Sequence, residues 1–325
     1  MAIVIENINP KVLIWARETA HFGIDDIPHT IIPREKLMKI ESGKELPTLA
    51  QLEKLSKKYE RPLHVLLESN IPEYDYVEIP FFRKQSKTTY DFALALFIRD
   101  IQRKQDWARN YLLSEGYEEL DFIGIVTLSD DTKKVAKIIK EKLELPSFSA
   151  FTNNEQYLKS IKKNLEDNHI FVSITGSNKS NVSISLEDAQ GFAIVDKIAP
   201  FIFVNTKNTT NAKIFTIVHE IVHLFINKSG ITEDAINFRK PQCDEDKIEN
   251  FCNMVTSEML MPEEIFRNKF KDASGLTLRG KIKYLSKYFL ISELAVCVRL
   301  WRLKLIEYTI YADVYSTIEK EIKKF

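Results

Sequence analysis

The sequence predicts an α+β protein: an all-helical amino-terminal domain, a core that mixes a small sheet with helices, and a helical carboxy-terminal subdomain. Three observations predict it. The first seventy or so residues carry apolar side chains at helical spacing and no strand-like alternation. Beyond Pro146 a helical segment is followed by short runs rich in β-branched and aromatic residues. The stretch Phe215-Thr-Ile-Val-His-Glu-Ile-Val-His-Leu-Phe225 is apolar on nearly every side, which marks a buried helix.

Taken in order, Val12, Leu13, Trp15 and Ala16 open an amphipathic helix, Leu37 and Ile40 belong to a later one ending at Gly43, and Leu49, Leu52, Leu55 and Tyr59 form another introduced by Pro47-Thr48. Pro62, Leu63, Val65 and Leu66 start the last helix of this domain, assigned to residues 1–72. Pro28 and Pro33 interrupt its second helix and the approach to the third. Ile71–Pro80 carries two prolines and no helical period, so a linker is assigned to residues 73–87.

Residues 88–150 read as a helical connecting region, with one long helix from Thr88 to about Leu120 and a second from about Asp131 to Leu143. Its Arg99, Arg103, Lys104 and Arg109 are expected on a solvated face. The core, 151–265, begins with a helix near Glu155–Leu165, followed by strands at 170–175, 182–186, 192–195 and 201–204. The sheet's free edge is expected among residues 181–196, where an extended peptide could add as a strand. In the subdomain 266–325, Leu276, Ile282, Leu285 and Tyr288 mark a helix, the run to Leu300 divides at Ile291-Ser292, and a Lys-rich helix ends the chain.

Composition narrows the function classes. With 325 residues, 44% of them hydrophobic, and a formal net charge of zero, the chain can bury a large core in two or three domains and has no global attraction to nucleic acid. No apolar run approaches the roughly twenty residues of a membrane span, and the start lacks the pattern of a signal peptide, so a cytoplasmic protein without membrane contact is expected. Of the three cysteines, Cys252 and Cys297 fall in apolar helical patterns and read as small core residues; Cys243 reads as a loop thiol.

The chemistry is concentrated in His-Glu-x-x-His. Residues four apart share a helix face, so His219 and His223 can direct two imidazoles at one ion while Glu220 stands beside it as general base. A catalytic zinc site takes three protein ligands and keeps one open position. Downstream candidates for the third ligand are Glu233, Asp234, Asp244, Glu245, Asp246, Glu249 and Glu258. The best segment is the helical pattern from Glu249 to Pro262, in which Glu249 and Asn253 share a face: Glu249 could bind the ion and Asn253 could orient a ligand. The plain alternative for Glu249 is an ordinary solvated carboxylate. Closure by a fourth ligand, from Cys243 or Asp244, would instead indicate a structural ion.

The pairing of Phe-Thr-x-x-His-Glu-x-x-His-Leu with Glu-x-x-Cys-Asn-x-Val-x-x-Glu-x-Leu-Met-Pro resembles the ImmA/IrrE family of bacterial metallopeptidases. The resemblance implies a zincin-like domain, metal ligands at His219, His223 and Glu249, and a catalytic Glu220. It implies Zn2+, or Mn2+ or another divalent ion, and a protein substrate such as a transcriptional repressor of a mobile element or stress gene. Ile40–Thr48 and Gln51–Tyr59 resemble an XRE-type helix-turn-helix domain, which implies DNA as a further partner. Against that, Arg34, Lys36, Lys39 and Lys44 are opposed by Glu35, Glu41 and Glu45, a nearly neutral surface.

The expected activity is thus a regulatory zinc endopeptidase with metal-activated water and Glu220 as general base, its oxyanion-stabilising residue open among Asn205, Arg239 and Tyr284. The competing expectation is a DNA-binding regulator, or a toxin-antitoxin or phage-defence interaction protein, with a non-catalytic metal site. Oligomeric state is not legible in the sequence.

Overall fold

A computed structural model describes residues 3–20, 22–72, 92–176, 184–186, 189–232 and 243–322. The expected linker 73–87, Glu233, Asp234, Arg239 and the last three residues of the Lys-rich tail lie outside the described residues. The described chain divides near Ile101 into two compact units.

The first unit is helical. Asn9 caps α1 (Pro10–Thr19) by accepting from the Lys11 amide, with Pro10 at the first helical position, where no donor is needed. α2 (Arg34–Glu41) is followed by Gly43 at φ +73°, a left-handed conformation that a side chain would strain. α3 (Leu49–Lys58) opens with a reciprocal cap between Thr48 and Gln51, and α4 (Leu63–Leu66) begins after Pro62. Between α1 and α2, where the prolines were expected to interrupt a helix, there is a three-residue 3-10 turn, Ile24–Asp26. Val12, Ala16, Leu37, Leu52, Leu55 and Tyr59 pack together fully buried. Around them, Arg17 forks onto both Glu41 oxygens at 2.8 and 3.0 Å, and its third nitrogen reaches the Phe22 carbonyl.

α5 (Phe92–Ser114) is shorter than the helix expected to reach Leu120. Gly116, at φ +80°, terminates it: its own amide and that of Tyr117 turn back onto the Leu113 and Leu112 carbonyls. Arg99, early in this helix, donates to the Thr19 carbonyl within the first unit.

In the second unit, α6 (Thr132–Lys142) and α7 (Asn154–Asp167) start at the caps Asp131 and Asn153. A four-stranded sheet follows, ordered β1 (Phe171–Thr175), β3 (Phe201–Asn205), β2 (Gly191–Ile194), β4 (Gly230–Thr232). β1 runs parallel to β3, Phe171 facing Phe201; β2 is antiparallel to both β3 and β4. Two expectations change here. Of the expected strand 182–186, the described residues 184–186 form no strand, because the Ile184 and Ser185 carbonyls accept from the Asn205 side chain rather than from a neighbouring strand. β2 lies inside the sheet, so among the described residues the edge strands are β1 and the unforeseen β4 rather than the expected part of 181–196 that β2 occupies.

α8 (Thr210–Phe225), capped by Thr209, lies against β2 and β3 on one side and α7 and α9 (Asp244–Leu260) on others. That is why it is apolar all round: every residue from Ile214 to Phe225 is buried. α9 stops at Met261-Pro262, and α10 (Glu263–Asp272) begins with its Glu263 amide held by the Glu258 carboxylate. α11 (Leu278–Phe289) and α12 (Glu293–Arg302) meet at the expected Ile291-Ser292 joint, where Leu290 takes a left-handed φ of 56° and Ser292 caps α12. α13 (Tyr308–Ile322) follows. No described helix is long and apolar enough to cross a membrane.

Candidate metal centre

α8 presents His219 and His223 one turn apart, with their Nε2 atoms 3.1 Å from each other. The direction of His223 is fixed from behind. Asn227 adopts a left-handed φ of 55° just past the helix end, which turns the chain so that the Lys228 carbonyl lies 3.0 Å from His223 Nδ1. A carbonyl only accepts, so Nδ1 carries the proton and Nε2 turns its lone pair toward His219. Asn227 is itself packed against Gly124, where an added Cβ would stand 3.0 Å from the Asn227 Cβ, so the missing side chain leaves room for it. Gly124 and Val126 donate to the last carbonyls of α8, at Leu224 and Phe225.

α9 brings the third group. Glu249 places Oε2 3.4 Å from His219 Nε2 and Oε1 3.2 Å from His223 Nε2. A four-coordinate ion with bonds of about 2.0–2.1 Å separates its ligand atoms by roughly 3.3–3.4 Å. The three spacings here, 3.1 Å between the imidazoles and 3.2 and 3.4 Å from them to one or the other Glu249 oxygen, are close to such ligand separations. The residues therefore fit a divalent cation.

Charge balance leads to the same conclusion. His219, Glu220 and His223 are 0% exposed and Glu249 is 2% exposed. With neutral imidazoles the two carboxylates are two buried negative charges, which are costly unless compensated, and one divalent ion compensates both. Burial by itself pushes the Glu249 carboxyl up, but the charge and hydrogen bonding of His219 and His223 outweigh it and hold that group below its ordinary range. For His223 burial favours the neutral ring, yet Cys252 and Glu249 hold its affinity for a proton well above the ordinary value. The cluster draws positive charge to the point between its donors.

Glu220 lies one residue beyond the first histidine, beside the sheet. Its Oε1 is 3.1 Å from where a Cβ on Gly191 of β2 would stand. Asn253, one turn on from Glu249, is 0% exposed, and its amide has no hydrogen-bond partner among the described residues; the same holds for the Thr256 hydroxyl. The structure thus brings Asn253 beside the centre without showing the bond to a ligand that was expected of it.

The other sequence candidates lie elsewhere. Asp244 is exposed and paired with Lys247 at 2.6 Å, and Cys243 is exposed at the start of α9. Glu258 is paired with the buried Arg299 and caps α10. Asn205 spends its amide nitrogen on the Ile184, Ser185 and Ala189 carbonyls and its oxygen on the Lys207 amide, so it clamps a loop. Tyr284 stacks with Tyr288 on α11.

Cys252 is buried in the core, as the sequence indicated; what the sequence did not foresee is its place beside the two imidazoles. It is 0% exposed, as a core residue would be, but its sulfur and the ligand atoms of His219 and His223 all lie within 4.8 Å of one another. The available signal was its place three residues after Glu249, on the same helix face.

Residues 166–301 match the family model Peptidase_M78, the IrrE N-terminal-like domain. The matched segment runs from the end of α7 through α12 and contains both histidines, Glu220, Glu249 and Cys252. It supports the ImmA/IrrE resemblance and a metallopeptidase kind of function with a metal cofactor. The first unit lies outside the Peptidase_M78 segment. A comparison with curated proteins gives no match.

Proposed function

We propose that the chain is a zinc-dependent endopeptidase of regulatory type that cleaves a protein partner, such as a transcriptional repressor. The observation that carries this reading is the convergence of His219, His223 and Glu249 at mutual distances of 3.1–3.4 Å with Glu220 adjoining on the same helix. When bound, a zinc ion there supplies Lewis acidity and a water of lowered pKa.

The chain's own residues do the rest. His219, His223 and Glu249 hold the cation, and the Lys228 carbonyl fixes the His223 tautomer so that Nε2 is the donor. Glu220 is not needed as a ligand, because two histidines and one carboxylate already supply the three protein donors of a catalytic site. Its carboxylate takes a proton from the nucleophile and passes it to the leaving amine. An extended substrate adds along an edge strand of the described sheet, β1 or β4.

A second reading, a binding module around a non-catalytic ion, is favoured by one observation: Cys252 offers a fourth donor, and four protein donors close a site. Glu220→Gln separates the two. In the peptidase it keeps metal and fold while cleavage of a co-expressed repressor falls by at least ~100-fold. Unchanged cleavage by Glu220→Gln would end the peptidase reading.

A further inference from the structure

Cys252 lies in the core beside the candidate metal ligands. It is 0% exposed on the face of α9 that carries Glu249, and its sulfur shares a 4.8 Å cluster with donor atoms of His219 and His223. Its neighbour Asn253 is equally buried, with both amide atoms unpartnered among the described residues, so this face of α9 is built toward something polar. Thiolate is a soft ligand that suits zinc and cobalt, whereas manganese and magnesium take oxygen. The fourth-donor candidates read from the sequence, Cys243 and Asp244, are exposed at the start of α9.

We propose that Cys252 is a fourth ligand of the divalent ion, so that His219, His223, Glu249 and Cys252 together close the resting centre. The inference rests on the metallopeptidase reading of that centre and adds a latent state to it. Ligation forms one sulfur–metal bond and breaks one S–H bond; the proton leaves to solvent and nothing is oxidised. Glu249 and Cys252 are successive ligands on one rigid helix, so rotation about the Cys252 Cα–Cβ bond withdraws the thiolate while Glu249 stays in place. The thiol then acts as the occupant of the position that catalysis needs open, and it biases the site toward zinc over manganese.

The test uses the full-length protein stripped of metal and reloaded with cobalt(II), with bound cobalt counted by emission spectroscopy. Wild type should show a thiolate-to-cobalt charge-transfer band in the near ultraviolet. Cys252→Ala and Cys252→Ser should bind cobalt without that band, and Cys243→Ala should keep it. Zinc affinity should fall in Cys252→Ala by at least the ~10- to 100-fold that partners behind the ligands are worth, with manganese affinity little changed. Two variants guard against a folding failure in one, and a circular dichroism melt reports it. Stoichiometric cobalt without the band in wild type, or a band that survives in Cys252→Ala, overturns the thiol ligand and leaves the metallopeptidase reading standing. Failure of wild type to bind cobalt or zinc overturns both.

Discussion

Gly191 on β2 and Glu220 on α8 are fitted to each other: a Cβ on Gly191 would stand 3.1 Å from Glu220 Oε1, 2.4 Å from Thr216 Cγ2 and 2.9 Å from the Phe203 carbonyl oxygen. The last is backbone of the neighbouring strand and cannot step aside. The missing side chain is what lets the helix lie this close to the sheet, with its catalytic candidate against the strand.

Gly191→Ala is therefore expected to push α8 off β2. Overpacking of this kind costs about 1–3 kcal/mol, and the residue first displaced besides Thr216 is Glu220 rather than either histidine. The variant should melt at lower temperature, keep its metal by emission spectroscopy, and lose turnover. A variant with wild-type stability and activity would show that the contact does not position Glu220.

Glu249 and Glu258 were both ligand candidates in the sequence, and the structure gives them opposite tasks. Glu249→Ala should sharply weaken metal binding, as should His219→Ala, because each removes a donor of the cluster that converges on the ion. Glu258→Ala leaves Arg299 buried without its carboxylate and should cost about 3–5 kcal/mol, as breaking a buried pair does, while the folded fraction still holds metal. Metal content and denaturant midpoints of the two variants, measured side by side, check both halves. Loss of metal in Glu258→Ala at full folding would contradict the assignment.

What the sequence showed and what it concealed follow from the range of the interactions involved. α8 and α9 were legible because period and stop signals are local: the apolar run around His219 and His223, the spacing of Glu249 and Asn253, and Pro262 can be read without a partner. The strand expected at 182–186 failed at its described end because a long-range donor, the Asn205 amide, takes the carbonyls a ladder would use. β4 was not foreseen because three residues carry too little alternation to register. Cys252 is the buried core residue the sequence indicated, but its nearness to the two imidazoles was not legible, because a thiol in an apolar helix shows no neighbour until the opposing helix is in place.

The acid limb of stability should depend on Glu263. Hydrogen bonds from Lys133 and Arg267, each at 2.7 Å, lower its pKa to about 2. A carboxyl depressed on folding stabilises the native state above its unfolded value, near 4.5, and loses that contribution as pH falls toward about 2. Glu263→Gln should thus melt lower than wild type at neutral pH, and the gap should narrow between pH 4.5 and 2. A gap that stays constant across that window would mean that the pair contributes nothing through its charge.

The DNA reading of the first unit can be tested on the full chain. Among the bases expected to meet phosphate, Arg34 is paired with Asp25 at 2.5 Å and Lys36 with Glu45 at 3.1 Å. Lys39 lies in the last turn of α2, and the helix that would precede α2 in a helix-turn-helix is reduced to the turn Ile24–Asp26. Phosphate affinity grows with the number of counterions released, about 0.9 of a log unit in salt slope for each neutralised phosphate. A surface whose cations are already paired must break those pairs before it releases counterions. We therefore expect weak binding with a shallow salt slope in a fluorescence-anisotropy titration of duplex DNA at several salt concentrations. The double variant Asp25→Asn with Glu45→Gln should tighten binding and steepen the slope by freeing Arg34 and Lys36. Nanomolar affinity of the wild type at physiological salt would overturn the weak-binding expectation. An unchanged slope in the double variant would show that α2 does not face the DNA.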